Sequence, residues 1–138
     1  DGVTAPIKRE ENKMFTRVTE TMFRDTFKAI NPDQFTQYGL ITLFAHLEEY
    51  EDNTGQEMAF NVTDISSDFT EYANWAEFHD DYDSFLFSNG IESQNFEQLR
   101  EHTTVIKVNE PIWVVKEKAE NNPAYDYEKD GPFIIRVF

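Results

Sequence analysis

The stretch Asn74–Phe87, NWAEFHDDYDSFLF, decides between three kinds of protein. Its middle, EFHDDYDSF from Glu77 to Phe85, sets acids and a histidine between aromatics, as a metal loop, a catalytic carboxylate pair or the wet face of a helix would. On a wheel of about 100° per residue, Trp75, Phe78, Tyr82, Phe85 and Leu86 fall within about 100° of arc. Glu77, Asp80, Asp81 and Asp83 fall on the other side. Asn74 has the side chain of an N-cap. The spacing therefore predicts a helix with aromatics inward and carboxylates in water.

Towards the N-terminus, DQFTQYGLITLFAHLEEYEDNTG is the clearest helix: Thr36 is placed to cap it, Leu40, Phe44 and Leu47 form its apolar stripe flanked by Ile41 and Tyr50, and Gly55 ends it. MFTRVTETMFRDTFKAINP begins β-like and continues as a helix with Phe23, Phe27 and Ile30 on one face, ended by Pro32. MAFNVTDISSDFTEY reads as a strand from its Phe60/Val62 alternation and β-branched content. Towards the C-terminus, Asn89-Gly90 marks a turn, IESQNFEQLREH a short helix with Ile91, Phe96 and Leu99 inward, and TTVIKV and PIWVVKE two strands. Asp130-Gly131 reads as a hairpin turn before a last strand, Phe133 to Phe138.

The expected fold is α+β, with N-terminal helices packed on a small antiparallel sheet completed by the C-terminal strands. Its expected core contains Leu40, Phe44, Leu47, Phe78, Tyr82, Val105, Ile106, Ile134 and Val137. The 138 residues suit one domain, placed at 14–138; residues 1–13 read as a mobile arm or an added remnant, with Met14 a candidate natural start. Thirteen phenylalanines supply apolar bulk that a disordered chain lacks. The absence of cysteine excludes disulfides and thiolate metal sites and fits a reducing compartment. No apolar run approaches the roughly 18–20 residues of a membrane span, and DGVTAPIKREENKMF has no apolar signal core.

The net charge of −15 is unevenly placed. Residues 1–34 carry six acids and six bases, and residues 103–138 six acids and five bases. Residues 35–102 carry fifteen acids against Arg100 alone, a balance of −14. That excludes a basic nucleic-acid grip by the chain itself and favours a basic partner or solubility.

Catalytic and metal chemistry find little support in the residues. A calcium loop starting at Asp81 would place Phe85 and Leu86 at its fifth and sixth positions. DYEKDG, Asp126 to Gly131, matches positions 1, 3, 5 and 6 but has Val137 at position 12. His46, His79 and His102 fall on three separate helices, without the spacing of a helical zinc site. There is no nucleophile elbow or phosphate loop, and no carboxylate pair stands out as an acid–base couple. The expectation is a non-enzyme with no metal and no cofactor. Asn61-Val62-Thr63 is a glycosylation sequon, a common chance match.

A second acidic cluster, HLEEYED, sets Glu48, Glu49, Glu51 and Asp52 in the last turns of the best helix. Acids at a helix C-terminus are unfavourable by roughly 0.3–1 kcal/mol each at low salt, and no base stands nearby to offset them. Stability alone does not select this arrangement, and the balanced flanks argue against a chain-wide solubility effect. Carboxylates at i, i+3 and i+4 lie about 5–6 Å apart, near the spacing of backbone phosphates, which rise about 3.4 Å each along a strand. A surface of this kind imitates a duplex to a protein that grips one. The candidate partner-binding residues are Glu48, Glu49, Glu51, Asp52, Glu57, Asp64, Asp68, Glu71, Glu77, Asp80, Asp81 and Asp83, with Tyr50, Phe69, Tyr72 and Trp75 adding contact area.

Three segments in order, FTQYGLITLFAHLEEYEDNTGQEMAFNVTDISSDFTEY, LREHTTVI and the terminal GPFIIRVF, carry a resemblance over most of residues 15–138. A helix ending Leu-Glu-Glu-Tyr-Glu, a strand, a Glu-Tyr acidic segment and a Thr-Thr-Val-Ile strand resemble a family of small acidic phage-encoded proteins of unassigned function. The chain departs from that pattern at DISSDF, where such sequences often carry a Cys-Cys pair, and is longer at NEPIWVVKEKAENNPAYDYEKD. The resemblance implies an accessory inhibitor acting in the cytoplasm of a bacterial host. Its expected partner is a host nucleic-acid-binding protein with a basic channel, such as a component of a defence, restriction or CRISPR system, met through a DNA-mimicking surface without direct nucleic-acid or membrane binding. The alternatives are an acidic structural, assembly or transcription-regulating interaction protein and, less favoured, a small metal-dependent enzyme; self-association as a homodimer stays open.

Overall fold

Two threonine caps begin the first two helices. Thr19 Oγ1 accepts from the Met22 amide and Thr36 Oγ1 from the Gly39 amide, each satisfying a donor that the helix start leaves free. The computed structural model describes residues 18–55 and 61–138. The chain divides into two compact units, residues 1–68 and 69–138.

The described part of the first unit is helical: α1 (Glu20–Ile30), α2 (Gln37–Thr54) and α3 (Val62–Asp68). Phe23 and Phe27 of α1 are buried, with Phe23 5.0 Å from Phe27 and 5.3 Å from Phe44 of α2, and Phe27 edge-on to Phe35. Leu40, Leu43, Phe44 and Leu47 form the inner stripe of α2. Gly55 ends that helix at φ +69°, a left-handed conformation open to glycine without a Cβ penalty. Ile30, expected inward, is 63% exposed. The β-like stretch expected around Met14 and the arm at 1–13 lie outside the described residues, as does Phe60.

The strand expected from Val62 is instead α3. Asn61 Oδ1 caps it by accepting from the Asp64 amide, and Val62 and Ile65 are buried one helical turn apart. Ser66 accepts at Oγ from Asn31 and at its carbonyl from Gln34, both at 3.3 Å, which ties α3 to the segment between α1 and α2. Extended structure begins later, with β1 (Phe69–Tyr72).

The second unit holds β1, α4 (Trp75–Ser88), α5 (Phe96–Arg100), β2 (Val105–Lys107), α6 (Ile112–Asn121), α7 (Tyr127–Asp130) and β3 (Phe133–Arg136). The sheet is antiparallel in the order β1-β3-β2, with Tyr72 opposite Phe133 and Val105 opposite Ile135. The last strand is therefore the central one. Its residues Phe133, Ile134 and Ile135 are completely buried, as a strand covered on both faces requires. Tyr72, Phe133, Ile135 and Val105 line one face of the pleat and meet Trp75, Phe78 and Leu86 of α4 and Phe96 and Leu99 of α5. The rings interlock: Phe133 lies 5.0 Å from Phe96 and 5.7 Å from Phe78, and Trp75 5.4 Å from Phe96. With seven helices and one three-stranded sheet among the described residues, the class is α+β.

Four local expectations are corrected in this unit. PIWVVKE is not a strand but the start of α6. Pro111 at φ −61° opens it, its carbonyl accepting from the amides of Val114 and Val115. Val114, Val115, Lys118 and Ala119 are its half-buried face, a helical spacing that the run of four apolar residues masks. Asp130-Gly131 does not turn a hairpin, because β3 pairs with the distant strands β1 and β2; Tyr127–Asp130 is one helical turn. A Cβ at position 131 would stand 2.7 Å from the Tyr127 carbonyl oxygen, so that turn requires glycine. Of IESQNFEQLREH only Phe96–Arg100 is helical, capped by Asn95. The final strand ends at Arg136; Val137 is 46% exposed, and Tyr82 and Ile106 are half-buried rather than central to the core.

Candidate functional site

Most of the candidate acids among the described residues are exposed, in both units. In the first, the C-terminal half of α2 exposes Glu48, Glu49 and Asp52, while Glu51 is half-buried; Asp64 and Asp68 are exposed on α3. Neither the first turn of α2 holds an acid nor its last turn a base, so its charge runs against the helix dipole. His46, on the same helix, is half-buried, and burial holds its pKa below the usual range against the opposing pull of Glu49. Glu57 lies outside the described residues.

In the second unit the four carboxylates of α4 are all exposed, yet they have different duties. Asn74 Oδ1 accepts from the Glu77 amide, and Glu77 Oε1 accepts from the Ala73 amide, so Glu77 locks the helix start. Asp81 accepts from the Tyr72 hydroxyl at 2.9 Å, joining α4 to the end of β1. Burial first, and this carboxylate second, push the Tyr72 hydroxyl well above the usual tyrosine range. Asp83 stands 3.1 Å from His79 Nε2 one turn earlier. Asp80 points to solvent on the same helix. Glu71 is half-buried on β1, opposite Ile134.

The aromatics expected beside these acids separate into two groups. Tyr50 is 42% exposed, but Phe69, Tyr72 and Trp75 are buried and offer no contact area. The exposed aromatic on α4 is Phe87, at 88%, a residue the sequence reading passed over. It borders a cleft of about 580 Å3 that Trp75, His79, Asp80, Asp83, Leu86 and Ile91 also line. The helix wheel could have flagged it: Phe87 falls outside the apolar arc that holds Phe78 and Phe85.

The calcium-like stretch DYEKDG uses its carboxylates on its own amides and on Gln94. Asp126 Oδ1 accepts from the Glu128 amide, Asp130 Oδ2 from the Asp126 amide, and Asp130 Oδ1 from Gln94. No group of three or more histidines and acids among the described residues is placed to hold a metal ion. No helix among them is long and apolar enough to cross a membrane. His102, expected on a helix, lies past the end of α5, edge-on to Phe85.

The basic side chains have separate work. Lys118 Nζ contacts both oxygens of Glu110 at 2.9 and 3.0 Å, tying α6 to the segment before it. Lys107 Nζ is buried 4.6 Å over the Phe96 ring with no hydrogen-bond partner. Neither stands among the acids of α4, whose last turn also lacks a base.

Comparison of the chain with protein-family models, with curated proteins and with solved structures finds no match.

Proposed function

We propose that the chain is a binding protein that presents carboxylate-rich faces to a basic nucleic-acid-handling protein and competes there with the nucleic acid. The observation that carries this reading is the exposure of acids on the C-terminal half of α2 and the outer face of α4, two helices whose last turns contain no base. On α2 such acids lower helix stability, and a partner with clustered Lys and Arg offsets that cost on binding. Rows of carboxylates on helices hold charge at near-phosphate spacing. The resemblance to phage-encoded proteins directs the search for the partner to bacterial defence, transcription and replication proteins, with the chain acting as an inhibitor in that cytoplasm.

Capture from a bacterial lysate, with and without nuclease, followed by displacement of a labelled duplex from the captured protein, tests the reading. Retention after nuclease and displacement at stoichiometric amounts are expected. A captured protein that binds the chain and the duplex together would replace steric competition with an assembly or regulatory role. Neutralising the exposed acids should lower affinity in steps: Asp80→Asn or Asp83→Asn alone has little effect, the pair has more, and adding Glu48→Gln and Glu49→Gln has most. Loss of all binding on one substitution would point instead to a single catalytic or metal-binding carboxylate.

A further inference from the structure

We propose that the cleft beside α4 receives an arginine-bearing segment of the protein partner, with the guanidinium against Asp80 and Asp83 and stacked on Phe87. This rests on the reading of a basic partner and makes that reading specific to one site. The cleft has a buried apolar floor, Trp75 and Leu86, and a half-buried apolar wall, Ile91. Two exposed carboxylates stand over the floor, and no lysine or arginine lines the cleft. Its volume of about 580 Å3 exceeds what one side chain fills, so a short peptide segment fits better than an isolated ion.

Phe87 separates arginine recognition from generic acidity. A surface that only imitates phosphates has no use for a phenyl ring 88% exposed at its edge. A guanidinium does: it is planar, weakly hydrated, stacks on aromatic faces and pairs side-on with carboxylates, whereas an ammonium is a compact, strongly hydrated point charge. His79, 3.1 Å from Asp83, orients that carboxylate at the mouth of the cleft. The complementarity is one-sided, since residues 35–102 contain Arg100 as their sole lysine or arginine.

The test uses the full chain, isotopically labelled, and a blocked hexapeptide with two arginines. Its counterparts carry lysine or uncharged citrulline in their place. Amide shifts should saturate within residues 75–94 for the arginine peptide. The lysine peptide should bind more weakly and the citrulline peptide should give no saturable shift. Phe87→Ala should weaken arginine binding about 2- to 5-fold and reduce the preference over lysine. Asp80→Asn with Asp83→Asn should abolish it, and all these exposed positions leave the folded spectrum intact. Equal binding of the arginine and lysine peptides, shifts spread equally over α2 and α4, or an unchanged Phe87→Ala variant would overturn the proposal. So would a Phe87→Ala effect confined to self-association of the chain. Localised arginine binding without displacement of nucleic acid from any partner would keep this site and remove the competition reading; displacement without arginine preference would do the reverse.

Discussion

Lys107 is a costly placement in the second unit. Its ammonium is buried over Phe96, near Tyr127 and Phe133, and has no hydrogen-bond acceptor. Burial lowers its pKa, and Arg100 adds to that; Glu128, Asp126 and Asp130 pull the other way without reversing it. A pKa lowered in the folded state means that the unfolded chain holds the proton more tightly. The penalty is then fully present below the folded pKa and fades as pH rises from there towards the ordinary lysine value of 10.5. Lys107→Met, of similar length and apolar, should raise Tm by about 1–4 °C near pH 7, under about 1 kcal/mol because the side chain is only half-buried. Thermal melts from pH 7 to 10.5 should show the gap closing. A fall in Tm at pH 7 would mean that the aromatic faces stabilise the cation by more than its desolvation costs. Asp81 shows the same need to look at partners: its exposure suggests a free charge, yet it accepts from Tyr72. Position alone does not reveal that bond, because Tyr72 and Asp81 are brought together only by the turn from β1 into α4.

At the scale of the element, caps carry much of the local specification. Asn74 both caps α4 and positions Glu77, which accepts from Ala73. Asn74→Ala should therefore cost about 1 kcal/mol, read as a lowered denaturation midpoint with the cooperative transition intact; an unchanged midpoint would show that the packing of Trp75 and Phe78 holds the helix start unaided. The helices α2 and α4 were legible because cap, apolar stripe and stop signal agree along each of them, and α1 from the Phe23/Phe27 spacing and Pro32, though Ile30 faces outward. Two others were not. Val62, Ile65 and the Ile112–Val115 run have the β-branched composition of strands, but side-chain propensity yields to context. In α3 the deciding contacts are the Asn61 cap and the distant partners Asn31 and Gln34 of Ser66; in α6 they are Pro111 and the Glu110–Lys118 pair. The order of strands was also hidden, since the antiparallel pairing of β3 with both β1 and β2 depends on residues more than 25 positions away. Of the candidate site, the outward direction of the acids, and of Phe87, follows from the wheel, while the cleft depends on how residues 91–94 fold against α4.

For the molecule as a whole, the organising fact is a net charge of −15 carried almost entirely by residues 35–102. Among the described residues most of those acids lie on the helices α2, α3 and α4, with Glu71 half-buried on β1, while Phe23, Phe27, Phe78 and Phe133 are closed to solvent. Charge of this size makes association with a basic protein fast and salt-sensitive. The most direct measurement is displacement of a labelled duplex from the partner protein by the chain across a salt series, beside a variant with Asp80, Asp83, Glu48 and Glu49 neutralised. The account predicts full displacement at low salt, affinity falling steadily as salt rises, and a flatter salt dependence with weaker binding for the variant. Affinity that is indifferent to salt, equal for the two proteins, or accompanied by an undisturbed duplex would contradict it.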